Sequence, residues 1–241
     1  MKKSICALLI IIIPGLCYSA EIMTSARQIG VGRVSAVAYY AHSEQKIDFE
    51  RRSDVSLVSD ALIGKVTVKV YENWHVFFKA GTIGSDLEYG SFKYKKDNEF
   101  DGALFGGGVK YNLFPDTVVT PAISIDIGVT HFTTDLKRLE SPSFIGEQKI
   151  NHEIESLEWQ GVFYISKKFF ALEPYGGVKL IINDLKWKDN NPDATETIDG
   201  DNQGVSPFLG VRFNFLPLIG LTIEGSLVAE KALSVGLTIG F

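Results

Sequence analysis

Beyond residue 17 the chain has no cysteine, its only two being Cys6 and Cys17. That excludes a disulfide scaffold, a thiolate metal centre and a cysteine nucleophile from the bulk of the protein. After the first twenty residues no stretch approaches the roughly 18 consecutive apolar residues of a membrane-spanning helix. No long basic block is present and the formal charge is −5, so nucleic acid is not an expected partner. Proline is scarce, at 8 residues, whereas glycine reaches 23, phenylalanine 16 and tyrosine 9. With 22% charged and 45% hydrophobic residues, the composition fits neither a disordered chain nor a helical membrane protein. What remains is a chain suited to many strands and tight turns.

The opening, MKKSICALLIIIIPGLCYSAEI, combines a positive end (Lys2, Lys3), an apolar run (Ile5 to Ile13) and a small-residue exit near Ser19 and Ala20. It reads as a secretory signal peptide over 1–20, too short to span as a helix. A lipoprotein anchored on Cys17 is the rival, but bulky Leu16 stands where a small residue is wanted. Cleavage would remove both cysteines and, with Lys2 and Lys3, take the formal charge from −5 to −7. An exported chain without disulfides needs another means of holding its fold.

From 21 to 241 the signal is period 2, the mark of strands with two unlike faces. Ten segments show it: 31–41, 56–71, 74–87, 101–113, 117–133, 154–166, 171–186, 204–215, 219–229 and the ending KALSVGLTIGF. One face is apolar throughout, as in Ile123, Ile125, Ile127 and Val129, or Leu233, Val235, Leu237, Ile239 and Phe241. The opposite face carries Arg33, Lys65, Lys69, Lys79, Lys110, Lys179 and Arg212 with Asp126, Glu158, Glu173 and Glu224. A soluble barrel would place apolar residues inside and polar ones outside. Charges facing lipid near mid-bilayer cost roughly 2–4 kcal/mol, least for acids, whereas inward charges can pair. The pattern therefore predicts an all-β, transmembrane, up-and-down antiparallel barrel forming one domain, with ten strands preferred over eight and a charged lumen. Inward bases exceed inward acids in this set, so any leak is expected to favour anions.

Connection lengths agree. Short gaps (Glu72-Asn73, Phe114 to Asp116, Lys168 to Phe170, Leu216 to Leu218) alternate with long ones at about 42–55, 88–100, 134–153 and 187–203. Tight periplasmic turns and long external loops have this asymmetry. Trp74, Tyr111, Phe114, Phe169, Phe170 and Phe215 then fall near the periplasmic ends, and Tyr39, Tyr40, Phe132 and Trp187 near the external ends, as two interfacial girdles.

The stretch SPFLGVRFNFLPLIGLTIEGSLVAEKALSVGLTIGF, with GGGVKYNLF and EPYGGVKLII in the same style, resembles the last strands of OmpA/OmpX/OmpW-like outer-membrane barrels. The resemblance covers most of the chain as a pattern, without a motif that fixes one family. It implies an outer-membrane location, contact with outer-membrane lipid and lipopolysaccharide, and recognition of Gly236, Leu237, Ile239 and Phe241 by the barrel-assembly machinery.

The candidate chemistry is thin. His42, His131 and His152 fall near the external rim with Asp54, Asp60, Asp86 and Glu153, the setting in which a rim hydrolase of the omptin kind pairs His with Asp to activate water. That family's local motifs are absent, so no catalytic residue is assigned. Asp189, Asp193, Glu196, Asp199 and Asp201 make 187–203 oxygen-rich, but without EF-hand spacing it reads as a solvated loop. Lys46, Arg51 and Arg52 could meet lipopolysaccharide phosphates, although Glu44, Asp48, Glu50 and Asp54 are interleaved. No cofactor and no metal are expected. The function expected is that of a non-catalytic envelope structural protein or narrow porin-like channel. The alternatives are an adhesin or recognition barrel acting through 134–153 and 187–203 on an extracellular ligand of unknown identity, and the rim hydrolase.

Overall fold

The structure is a computed structural model that describes residues 34–50, 52–96, 98–141, 148–191 and 194–241. Its elements are β1 (Val34–Phe49), β2 (Arg52–Lys69), β3 (Trp74–Tyr89), β4 (Phe92–Lys95), β5 (Gly102–Phe114), β6 (Ala122–Glu140), β7 (Gln148–Ser166), β8 (Leu172–Asn191), β9 (Ala194–Asn214), β10 (Ile219–Ser226) and β11 (Glu230–Gly240). Every neighbouring pair is antiparallel, and β1 closes the ring against β11 from Ser35↔Gly240 to Gln45↔Glu230. Ten long strands form the wall. The eleventh, β4, is four residues long and continues the line of β5 between β3 and β6. The expected signal segment and Arg33 lie outside the described residues.

The apolar phase faces outward. Leu62, Phe78, Phe105, Ile127, Trp159, Phe163, Leu180, Leu209 and Leu237 are all exposed large hydrophobics. In a soluble protein so much contiguous apolar surface would drive aggregation; as a belt around a barrel it suits lipid. The short turns at 70–73, 115–121, 167–171 and 215–218 close one end.

At the other end the structure departs from the sequence reading. The stretches expected as long loops are largely paired strand: β1 and β2 pair as far as Phe49↔Arg52, with a register shift between Ile47 and Phe49, and β8 and β9 stay in register to Asn191↔Ala194. The polar composition there marks solvated strand faces, because above the belt the outward face meets water. β10 and β11 stop early, turning at Leu227–Ala229. Above that hairpin β1 pairs directly with β9, through Asp48↔Asp201 and Phe49↔Gly200, and Glu50 N–H donates to the Asp199 carbonyl at 3.1 Å.

The wall therefore narrows from ten strands to eight. One register row shows the closure: Tyr39↔Ile63↔Gly81↔Leu104↔Phe132↔Ser156↔Leu185↔Gly200↔Phe49. It leaves β1 at residue 39 and returns to β1 at residue 49, the stagger that a closed, tilted barrel requires. An eight-stranded ring has an interior just wide enough for side chains to fill. Tyr39, Ile63, Leu87, Leu104, Phe132, Leu136, Ile154, Leu185 and Trp187 fill it as one buried apolar core. Tyr39, Phe132 and Trp187 were expected in the external girdle. They point inward instead, because each lies on the inward phase of its strand, with Val37 on β1, Thr130 on β6 and Asn183 on β8, and only Tyr40 of that set is exposed.

Candidate functional site: the filled lumen and its rim

Below the apolar core the inward phase is polar. Lys65, Lys79, Lys110, Asp126, Glu158, Glu173, Lys179 and Glu224 are buried inside the barrel; Lys69 and Arg212 also face inward but are half-buried. The fraction exposed separates a channel from a plug: Lys179 and Glu224 are 0% exposed and Glu173 is 2%. A water-filled passage would leave such heads wet. Instead they are paired or hydrogen-bonded, as buried charges must be. Lys179 Nζ lies 2.7 Å from Glu230 Oε2. Gln45 donates to both Glu158 and Glu230 at 3.4 Å and accepts from Asn183 Nδ2 at 3.1 Å. Tyr164 donates to Asp126 at 2.9 Å, Tyr175 to Glu224 at 2.8 Å, and Ser166 to Glu173 at 3.2 Å. The Lys65 ammonium sits 4.2 Å from the centre of the Phe77 ring.

Cavities interrupt this filling. A cavity of about 40 Å³ lies at the boundary between polar network and apolar core, lined by residues that include Gln45, Leu57, Phe132, Glu158 and Glu230. A smaller one, about 10 Å³, lies between Lys65, Lys79 and Asp126. Both have room for water. The inward glycines leave no pore: the Phe77 ring occupies their space, its tip 2.6 Å from where a Cβ on Gly108 would stand and 2.9 Å from one on Gly128.

Glu230, the first residue of β11, is absent from the charged inward set read from the sequence. Continuing the even phase of the final strand back from Gly240 puts it inside, opposite Gln45, where it partners Lys179. Gln45 and Asn183 carried no charge signal, and only the closed register brings them together. Of the expected assembly residues, Leu237, Ile239 and Phe241 face outward and are exposed. Gly236 faces inward, where a Cβ would lie 2.5 Å from that of Tyr39.

At the rim the three histidines go separate ways. His131 packs its ring 5.0 Å from Phe105 on the outer face. His152 turns inward, 5.8 Å from Tyr94 and 5.7 Å from Trp187, with Nδ1 3.7 Å from Asp189. His42 lies on the outer wall just above the belt, its Nδ1 2.7 Å from Asp60 Oδ1. The same carboxylate accepts Tyr40 Oη at 2.6 Å and Lys96 Nζ at 2.8 Å. Burial alone would raise the Asp60 pKa, but the hydrogen bonds from Lys96, Tyr40 and His42 outweigh it and hold the carboxyl down at about 2.

These contacts make Asp60 a staple. Lys96 and the segment 98–101 leave the sheet between β4 and β5, and Glu99 lies over the outer face of β3 at Gly84, where any Cβ would strike the Glu99 carbonyl. Lys96 N–H donates to Asp86 at 3.0 Å, and the Arg138 guanidinium donates to the Lys96 carbonyl at 2.8 Å. The His–carboxylate pair thus holds down a chain excursion.

The other expected rim groups are dispersed. Lys46 pairs with Asp54 at 2.9 Å, while Arg51 and Asp193 lie outside the described residues and Arg52 is described only in its backbone. Lys188 bridges Glu153 and Glu155 at 3.0 and 2.6 Å, which lowers the Glu155 pKa and raises that of Lys188. Among the described residues no group of three or more His, Cys, Asp or Glu is arranged to hold a metal ion.

No protein-family model and no curated relative matches the sequence. Among solved structures the chain is similar to the translocator domain of the autotransporter NalP from Neisseria meningitidis, with a TM-score of 0.51 and 10% identity over 88% of this chain and 89% of that one. It is equally similar to the β domain of the Bordetella autotransporter BrkA, with a TM-score of 0.51 and 10% identity over 87% of this chain and 100% of that one. The outer-membrane protease OmpT from Escherichia coli is less alike, at a TM-score of 0.48 and 11% identity over 86% of this chain and 96% of that one.

Proposed function

We propose that this chain, which has the fold of outer-membrane β-barrels, is an exported, non-catalytic barrel of a Gram-negative-type outer membrane that conducts no solute and works as an envelope structural protein. In this reading its apolar belt meets outer-membrane lipid, its ordered external extension meets lipopolysaccharide and the surroundings, and Leu237, Ile239 and Phe241 are offered to the assembly machinery. The observation that carries it is the burial of the lumen charges, with Lys179 and Glu224 at 0% exposure beneath an apolar core. A narrow channel needs the opposite, wet charges under an open mouth. The test is single-channel recording of the refolded protein in planar bilayers. Silence from a correctly folded barrel is expected, and steady, reproducible openings would overturn the proposal.

The hydrolase alternative has one point in its favour, the 2.7 Å contact of His42 with Asp60. The same carboxylate is committed to Tyr40 and Lys96 as well, which supports a structural role for the pair. Ester or peptide hydrolysis that disappears in His42→Ala would reinstate the enzyme.

A further inference from the structure

Two of the short turns that close one end of the barrel are apolar at their tips. In the turn 115–121 Val118 and Val119 are 97% and 86% exposed; in the turn 167–171 Phe170 is 98% exposed and Phe169 55%. The sequence reading put 117–121 at the start of a strand and the two phenylalanines in a girdle. All of them lie beyond the strands, since β6 begins at Ala122, β7 ends at Ser166 and β8 begins at Leu172. Packing within the protein explains neither Val118 nor Phe170. Nor does turn geometry ask for a ring at 170, where φ is +54°. Glycine or asparagine takes that conformation at less cost.

The backbone of 115–121 is covered as well. Pro115 and Pro121 carry no N–H. The Thr117 hydroxyl accepts the N–H groups of Thr120 at 2.9 Å and Val119 at 3.3 Å, and the Thr117 N–H donates to the Thr120 carbonyl at 3.0 Å. From the other turn Lys167 reaches across, its Nζ 3.1 Å from Asp116 Oδ1 and hydrogen-bonded to the carbonyls of Thr117, Val118 and Thr120. A turn in water needs no such cover, because water satisfies its carbonyls. In lipid each backbone polar group has to find its partner inside the protein. Lys167 also joins the two turns into one body. Beside them Phe114, Ile165 and Leu172 are exposed at the strand ends, so the apolar belt continues into the turns.

We propose that the turns 115–121 and 167–171 form a keel that enters the lipid leaflet at this end of the barrel, with Val118, Val119, Phe169 and Phe170 at the boundary between headgroups and acyl chains. The inference rests on the reading that the belt meets lipid, and goes further: the barrel meets lipid with two of its turns as well as with its wall. At that boundary rings and branched side chains leave water, while the ammonium of Lys167 stays matched by Asp116 and the turn carbonyls.

The test uses the full chain with Cys6→Ser and Cys17→Ser, given one new cysteine at a time. Each variant is labelled with a fluorophore and refolded into phosphatidylcholine vesicles whose acyl chains are brominated near the headgroup. Val118→Cys and Phe170→Cys are expected to lose fluorescence to the bromines as strongly as Leu209→Cys on the wall, whereas Asp199→Cys, above the belt, keeps it. Val118 and Phe170 are almost wholly exposed, so a label there displaces no packing. Loss at 209 without loss at 118 and 170 overturns the keel and leaves the barrel reading intact. No loss at 209 overturns that reading and the keel with it. Shielding of 118 and 170 from aqueous iodide without bromine quenching assigns the patch to a second copy of the chain and overturns the lipid assignment.

Discussion

The interior of this barrel is two different materials. Within the belt it is a network of buried charges and amides, centred on Lys179–Glu230 and the Gln45 bridge; toward and above the top of the belt it is a hydrocarbon core running from Val37 to Trp187. The difference follows from what lies outside the wall. Inside lipid the outward phase must be apolar, so the alternating inward phase is left to the polar residues, and ten strands give them room to pair. Above the belt the outward phase meets water and takes the charges. The inward phase, squeezed into eight strands, becomes an ordinary protein core. The same two-residue period is inverted along single strands: β2 places Lys65 inside with Leu62 outside, then Leu57 inside with Asp54 outside.

The two materials should break differently. Lys179→Met strands the Glu230 carboxylate in the interior. Removing one partner of a buried pair costs about 3–5 kcal/mol, so this is expected to be the largest loss in urea unfolding from micelles. Adding Glu230→Leu should recover most of it. Leu185→Ala in the apolar core leaves a hole instead, with an expected loss of about 2–5 kcal/mol and no rescue by a second truncation. If the lone methionine at 179 is harmless, the charge network is not what holds the lumen.

Gly128→Ala sits where the two materials meet the packing of Phe77. Overpacking there should cost about 1–3 kcal/mol, and Phe77→Leu in the same chain should relieve part of it.

Asp60→Asn tests the staple outside the wall. Deuterium uptake over 96–101 is expected to rise while the barrel strands stay protected. Because the folded pKa of Asp60 is depressed to about 2, its contribution is present above the ordinary carboxylate value near 3.9 and is lost as pH falls from there toward 2. Protection over 96–101, taken relative to the intrinsic exchange rate at each pH, should therefore be flat from pH 5 upward and fall below pH 4 in the unmodified chain. An equally steep fall in Asp60→Asn would remove Asp60 as the cause.

The smallest effect is expected at the clasp. Asp201 stands directly opposite Asp48 on one side and Asp184 on the other. Asp201→Asn should relieve two like-charge contacts and stabilise the β1–β9 closure by about 0.2–1 kcal/mol, read as slower exchange at residues 46–50.

Much of this was legible in the residues. Which phase of each strand faces out depends only on alternation, a local property, and Ile123, Ile125 and Ile127 against Ser124 and Asp126 show it without any partner. The turns were legible for the same reason, since prolines and short polar stretches punctuate the chain where pairing stops. The extent of the strands was not. A solvated strand and a solvated loop have the same composition, so 187–203 gave no sign that Lys186 to Asn191 would pair with Ala194 to Asp199. Nor could any local pattern reveal that Tyr39, Phe132 and Trp187 share one core, because that depends on strand tilt and on the early end of the β10–β11 hairpin.

By itself, then, the sequence determined a cysteine-poor chain of alternating strands with one greasy and one charged face, because period and composition are read residue by residue. Tertiary structure alone decided that the lumen is filled and that ten strands become eight where β1 meets β9. It also made Glu230, Gln45 and Asn183 partners of residues from 51 to 185 positions away. The physical reason is closure: the register around a barrel is fixed only when the last strand returns to the first, and no segment of the chain contains that condition.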